Sequence, residues 1–194
     1  MPINFKPYSD WLLFVGNNGS GKTTLMKYLL QRVDKNYIYV LNCGGSKAWD
    51  IYKEQSKVPA SYELEYLDKF LLQILKNDKI KKLHLVIDDA DNYELRKSSI
   101  FRSMYINSRR LAIGGMLAVR NLTSVPLTIY NASRYLFISV QKNNYIIQYI
   151  RGTIGDDAYK LRELAQYEFM VYDMYNKSYE IIKLNKNIAG KIGE

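Results

Sequence analysis

The stretch Trp11-Leu12-Leu13-Phe14-Val15-Gly16-Asn17-Asn18-Gly19-Ser20-Gly21-Lys22-Thr23-Thr24-Leu25-Met26 governs how the rest of the chain is read. Trp11 to Val15 is an uninterrupted apolar run of strand length. Gly16 to Thr23 fits G-x-x-x-x-G-K-[ST], and Leu25, Tyr28 and Leu29 then recur at helical spacing. The order is therefore buried strand, tight loop, helix. Each position of the loop has a chemical reason. Glycines let the backbone curl so that successive N–H groups face phosphate oxygens, and the helix amino terminus behind them adds a favourable dipole. Gly16, Asn17, Asn18, Gly19, Ser20, Gly21, Lys22, Thr23 and Thr24 are the candidate ATP-binding residues. Lys22 is placed to reach the β- and γ-phosphates, and the Thr23 hydroxyl to hold Mg²⁺.

A second signal lies in Leu83-His84-Leu85-Val86-Ile87-Asp88-Asp89, a hydrophobic strand ending in two acids. An aspartate at the tip of a strand near a phosphate loop holds the Mg²⁺ shell, and Asp88 takes that role. Asp89 is placed to polarise an attacking water as a general base, with Asp91 in reserve. A further apolar run ends at Val119-Arg120-Asn121, where parallel sheets carry functional groups. Arg120 or Asn121 is the candidate sensor of the γ-phosphate. His84, inside the acidic strand, reads as a buried histidine rather than a ligand. Cys43 reads as structural.

Around these motifs, runs at 37–41, 83–88, 116–119 and 135–140 predict strands. Leu64, Leu67, Leu71, Ile74 and Leu75 mark a helix. A short helix is expected over 46–57, bounded by Pro59, and a longer one from about Tyr93 to Leu111. Tyr145 to Ile150 is expected as a sixth strand after an Asn143-Asn144 turn. Asp156 to about Met174 is expected as a helix, and Tyr179 to Leu184 as an edge strand. Alternating strands and helices predict an α/β fold with a mostly parallel sheet flanked by helices. Residues 1–184 are read as one domain and 185–194 as a polar tail.

Composition bounds the function. The chain has 194 residues, 47% hydrophobic and 24% charged, which is globular rather than disordered. One cysteine and one histidine exclude a disulfide framework and a cysteine- or histidine-rich metal site. The formal charge of +9 suits nucleic acid, an acidic membrane surface or another polyanion. No uncharged apolar run is long enough to span a bilayer, and the first residues lack the form of a secretory signal, so host cytoplasm or a virion is the expected location.

The motifs resemble the FtsK–HerA superfamily of DNA-pumping ATPases. More narrowly, they resemble the genome-packaging ATPases of membrane-containing double-jelly-roll viruses and their archaeal relatives. Gly16 to Thr23 and Leu85 to Asp89 carry the nucleotide part of the resemblance. Arg109 to Gly115, Met116 to Pro126 and Asn131 to Phe137 resemble the helix end, sensor strand and final core strand. Arg120 and Asn121 stand where the family commonly has glutamine then arginine, and Asp89 stands where it usually has glutamate. The resemblance implies a RecA-like core and a ring, hexameric in the family. It implies movement of double-stranded DNA into a capsid, with capsid-vertex or viral membrane proteins as further partners.

A ring of this kind needs a cation from the neighbouring subunit at the γ-phosphate. Arg96, Arg102, Arg109, Arg110 and Arg120 are the candidates. Arg102 and Arg109 are expected on one helix face, and Arg109 is the favoured choice. Two other classes remain open on sequence: a small-molecule or nucleotide phosphotransferase, with Arg109 and Arg110 as a lid, and a nucleotide-gated assembly or secretion protein at a membrane.

Overall fold

The computed structural model describes residues 3–41, 47, 49–50, 63–77 and 80–184. The strands are β1 (Trp11–Val15), β2 (Ile38–Leu41), β3 (Leu83–Ile87), β4 (Ile113–Val119), β5 (Tyr135–Ser139), β6 (Glu168–Asp173) and β7 (Ser178–Lys183). They form one sheet in the order β2-β3-β4-β1-β5-β6-β7. The first five run parallel, and β6 and β7 are antiparallel additions at one side. This is the mostly parallel sheet predicted from the alternation of strands and helices, and the RecA-like core that the family resemblance implies.

The helices are α1 (Lys22–Leu30), α2 (Leu64–Lys76), α3 (Ser99–Ile106), α4 (Ser108–Leu111), α5 (Leu127–Ala132) and α6 (Asn144–Ile154). They cover both faces of the sheet, so β1, β3, β4 and β5 are buried at every position. Along β1, Trp11, Leu13 and Val15 enter one core, with residues of α2, α3, α5 and α6. Leu12 and Phe14 enter the other, with Leu25, Met26, Leu29 and Leu30 of α1. Successive strand side chains point to opposite faces, so a continuous apolar run is what a strand covered on both sides requires. No helix among the described residues is long and apolar enough to cross a membrane.

Three expected elements take another form. Residues 145–150 lie in α6, not in a strand. The Asn143 side chain accepts from Tyr145 N–H at 2.8 Å and caps the helix, and Ile147, Ile150 and Ile154 turn one face into the core. Residues 156–174 divide into a 3₁₀ segment, Gly155–Arg162, and β6, whose Phe169 to Val171 are fully buried. A short apolar run does not by itself distinguish strand from helix, and here tertiary pairing with β5 decides.

The expected helix from Tyr93 to Leu111 starts later and breaks. Ser98 Oγ accepts from Phe101 N–H at 2.9 Å and caps α3, which ends at Asn107 before α4 begins. Arg102 and Arg109 therefore lie on separate helices, not on one face. The fourth strand begins earlier than expected, at Ile113, because Gly114 and Gly115 lie inside it. A Cβ on Gly115 would stand 2.2 Å from the Leu85 carbonyl oxygen and 2.7 Å from the Trp11 ring, so close strand packing selects glycine there. The edge strand at the chain's end is β7. Cys43, most of the helix expected over 46–57, and the 185–194 tail fall outside the described residues.

Candidate functional site

Parallel strands bring their carboxyl ends to one edge. Gly16 follows Val15 of β1, Asp88 follows Ile87 of β3 and Arg120 follows Val119 of β4, so the sequence motifs converge there. An open cavity of about 390 Å³ at that edge is lined by residues 18–24, Asp88, Asp89 and Tyr167, with Gly16, Asn17, Arg120 and Asn121 outside its lining. Gly21 stands at φ 95°, a left-handed turn that leads into α1. The first turn of α1 holds no acidic residue, so nothing on the helix itself neutralises its amino terminus. Gly16 is required for a different reason: a Cβ there would stand 2.0 Å from Ser139 Oγ at the end of β5.

Lys22 is 6% exposed, and its Nζ donates to the carbonyl oxygens of Gly16 at 2.7 Å and Asn17 at 3.2 Å. Burial pulls its pKa below the ordinary lysine value, opposed by the charges of Asp88, Asp89 and Asp91. The Thr23 hydroxyl donates to Asp88 Oδ2 at 2.9 Å. Phosphate loop and acidic strand, 65 residues apart in sequence, thus meet at one oxygen pair. Trp49 Nε1 donates to the same Asp88 oxygen at 2.9 Å, and Asp89 N–H donates to the other at 3.0 Å. One hydroxyl and one carboxylate, open to a cavity with room for phosphate oxygens and water, is the hard-oxygen donor set that fits Mg²⁺.

Asp89 is a non-glycine residue in the left-handed region, at φ 49°. This turn directs it into the cavity beside Asp88. Burial raises its pKa above the usual aspartate value, and the Asp88 charge raises it further. Asp91 is employed differently. Its carboxylate accepts from Arg120 N–H at 2.5 Å, Asn121 N–H at 3.2 Å and the Ser124 hydroxyl at 2.8 Å. It fastens the loop after β4 and is not aimed at a ligand. In that loop Arg120 reaches Asn92 Oδ1 at 3.1 Å, and Asn121 Oδ1 accepts from Thr123 N–H at 3.0 Å. Arg120 stays close enough to act electrostatically on Lys22 and Asp89.

Arg109 lies at the other edge of the sheet. α4 precedes β4, and Ser108 Oγ donates to the carbonyl oxygen of Ser9, just ahead of β1. Five residues of β1 separate this edge from the phosphate loop, roughly 16 Å. The Arg109 guanidinium donates to Tyr175 Oη at 2.5 Å and is half a molecule away from its own site. Lys22 is the one cation among the described residues that line the cavity.

Three residues at the site escaped the sequence reading. Trp49 carried no motif. Tyr167 sat in a segment expected to be helical. Ser139 had a usable signal, as the polar residue ending an apolar parallel strand. Its hydroxyl and that of Ser20 are buried around Gly16 without a hydrogen-bond partner among the described residues. His84 is fully buried, as expected, with Nδ1 2.5 Å from the Pro7 carbonyl oxygen.

Comparison with known proteins places this geometry. A family model described as RNA helicase matches residues 12–61, which include most of β1, the phosphate loop and α1. No curated protein matches the chain. Among solved structures, the DNA-packaging ATPase B204 from Sulfolobus turreted icosahedral virus superposes with a TM-score of 0.77 at 19% identity, covering 93% of this chain and 100% of that one. B204 from Sulfolobus turreted icosahedral virus 2, in complex with AMPPCP, gives 0.73 at 17% identity, covering 93% and 99%. The N-terminal domain of zonular occludens toxin from Neisseria meningitidis gives 0.58 at 11% identity, covering 94% and 98%. At these identities the likeness is one of fold, and it extends across nearly the whole of the first two proteins.

Proposed function

We propose that this chain is a Mg²⁺-dependent ATPase that drives double-stranded DNA, packaging a viral genome into a capsid. The observation that carries the proposal is the Thr23–Asp88 contact at 2.9 Å, which joins the phosphate loop to the acidic strand. Near-complete superposition on the B204 packaging ATPases supports the choice of a motor among phosphate-loop proteins. Residues 1–184 act as one ATPase unit on this reading, in host cytoplasm or virion.

The loop amides and the α1 amino terminus bind the polyphosphate. Lys22 exchanges its bonds to Gly16 and Asn17 for phosphate oxygens. Thr23 and Asp88 would hold Mg²⁺, which when bound offsets phosphate charge. Asp89 receives the proton of the water that attacks the γ-phosphate, and its raised pKa matches that task. Arg120 and Asn121, fixed by Asp91, carry the sensor loop. Arg109 is assigned to a neighbouring subunit's site, within a ring whose basic surface, from a +9 chain, holds DNA phosphates without reading sequence.

The test is an ATPase assay with and without double-stranded DNA, at low and moderate salt. Stimulation by DNA that fades as salt rises is expected. Stoichiometric phosphorylation of a small acceptor would replace the motor with a phosphotransferase. The other class that the sequence leaves open is a nucleotide-gated assembly or secretion protein at a membrane. Slow turnover indifferent to DNA, with nucleotide-dependent binding to a membrane protein, would establish it.

A further inference from the structure

The phosphate-binding surface accounts for only part of a nucleoside triphosphate. Among the described residues, glycine, asparagine, serine, threonine, lysine and aspartate line the cavity, and Tyr167 is the one aromatic residue with them. Tyr167 reaches this place through the topology. Because β6 runs antiparallel to β5, with Ser139 opposite Phe169, the start of β6 lies at the carboxyl edge beside the phosphate loop. The end of β7 returns to the same edge, with Lys183 opposite Glu168.

Tyr167 is held there by its own backbone. Its φ is 66°, an uncommon conformation for an aromatic residue, and its carbonyl oxygen accepts from Leu184 N–H at 3.0 Å. The ring rests on the loop: its Cδ1 lies 3.2 Å from where a Cβ on Gly21 would stand, and Leu184 Cδ1 lies 2.9 Å from that point. Phe169, two positions on, is fully buried, whereas Tyr167 remains 41% exposed. An outlying backbone conformation therefore presents an aromatic ring to the cavity, a cost that a binding role explains.

We infer that Tyr167 is the platform on which the nucleotide's base stacks. This rests on the nucleotide-binding reading of the loop and adds the subsite for the base. Stacking recognises any flat base, with purines offering the larger face, so the site favours ATP or GTP over CTP or UTP. The β6–β7 hairpin becomes part of the nucleotide site, not only an extension of the sheet.

The test compares the full-length parent with Tyr167→Ala, Tyr167→Phe and Tyr167→Trp, titrated with ATP and with inorganic tripolyphosphate, which has no base. Tyr167→Ala is expected to weaken ATP binding by at least about fivefold and leave tripolyphosphate binding unchanged. Tyr167→Phe is expected to restore ATP binding, and ATP but not tripolyphosphate is expected to quench the new fluorescence of Tyr167→Trp. Equal losses for both ligands in Tyr167→Ala would show that the ring only shapes the loop, and unchanged ATP affinity would show that it touches no base. Either result overturns the inference and leaves the phosphate site standing. A parent protein that binds neither ligand overturns the nucleotide reading itself.

Discussion

Trp49 and Thr23 donate to the same oxygen of Asp88, each at 2.9 Å, from 39 and 65 residues earlier in the sequence. The indole thereby fixes the orientation of a carboxylate whose other oxygen takes the Asp89 amide. Trp49→Phe removes the donor and keeps most of the buried ring. The Mg²⁺ concentration for half-maximal hydrolysis is expected to rise by about 10-fold, with thermal stability little changed. A Mg²⁺ titration of turnover, beside a melting curve, checks this. An unchanged midpoint would make Trp49 a packing residue only.

Asp89 and Asp91 are separated by what they touch. Asp89→Asn is expected to keep ATP binding and reduce turnover by about 10²–10⁴-fold, because Asp88 remains in place. In the parent, turnover should fall on the acid side at a higher pH than an ordinary aspartate would give, since burial holds the Asp89 proton more tightly. Asp91→Ala should instead cost about 2 kcal/mol in stability by freeing the loop after β4. Urea melts and pH–rate profiles of the two variants distinguish these roles. Parent-like turnover in Asp89→Asn would remove it as the base.

His84 makes the fold sensitive to acid. Burial lowers its pKa to about 4, against an ordinary value of 6.5. The unfolded chain binds this proton first as pH falls, so stability is full above about pH 6.5 and declines toward pH 4. The loss approaches about 3 kcal/mol at the lower end. His84→Gln should flatten that part of the profile in urea melts across pH. A parallel decline in the variant would assign it to other groups.

Arg109 cannot serve the phosphate loop of its own subunit from the far edge of the sheet, so its proposed role is intersubunit. Arg109→Ala is expected to lower turnover by about 10³-fold or more while ATP binding persists. Mixing it with Lys22→Ala, which lacks its own site but retains the arginine, should recover hydrolysis that neither variant shows alone. Turnover per subunit independent of protein concentration, with no recovery on mixing, would point to a monomeric enzyme and leave Arg109 to its contact with Tyr175.

The phosphate loop was legible in the sequence because its chemistry is local. Eight consecutive residues, Gly16 to Thr23, contain the turn, the lysine and the hydroxyl, and the apolar run before them can only be a buried strand. The acidic strand was legible for the same reason, since Asp88 directly follows a fully buried segment. Residues 145–150 and 168–173 were not, because short apolar runs satisfy either period until a partner surface selects one. α6 was selected by the core beneath Ile147 and Ile150, and β6 by the open edge of β5. Spacing likewise could not reveal that Asn107 divides Arg102 from Arg109, or that Asp91 is spent on the β4 loop. The phosphate chemistry can be read from residues alone, since contiguous backbone supplies it. That Trp49 supports Asp88 and Tyr167 lies over Gly21 emerges on folding, because strand direction and sheet order bring those distant side chains to one edge.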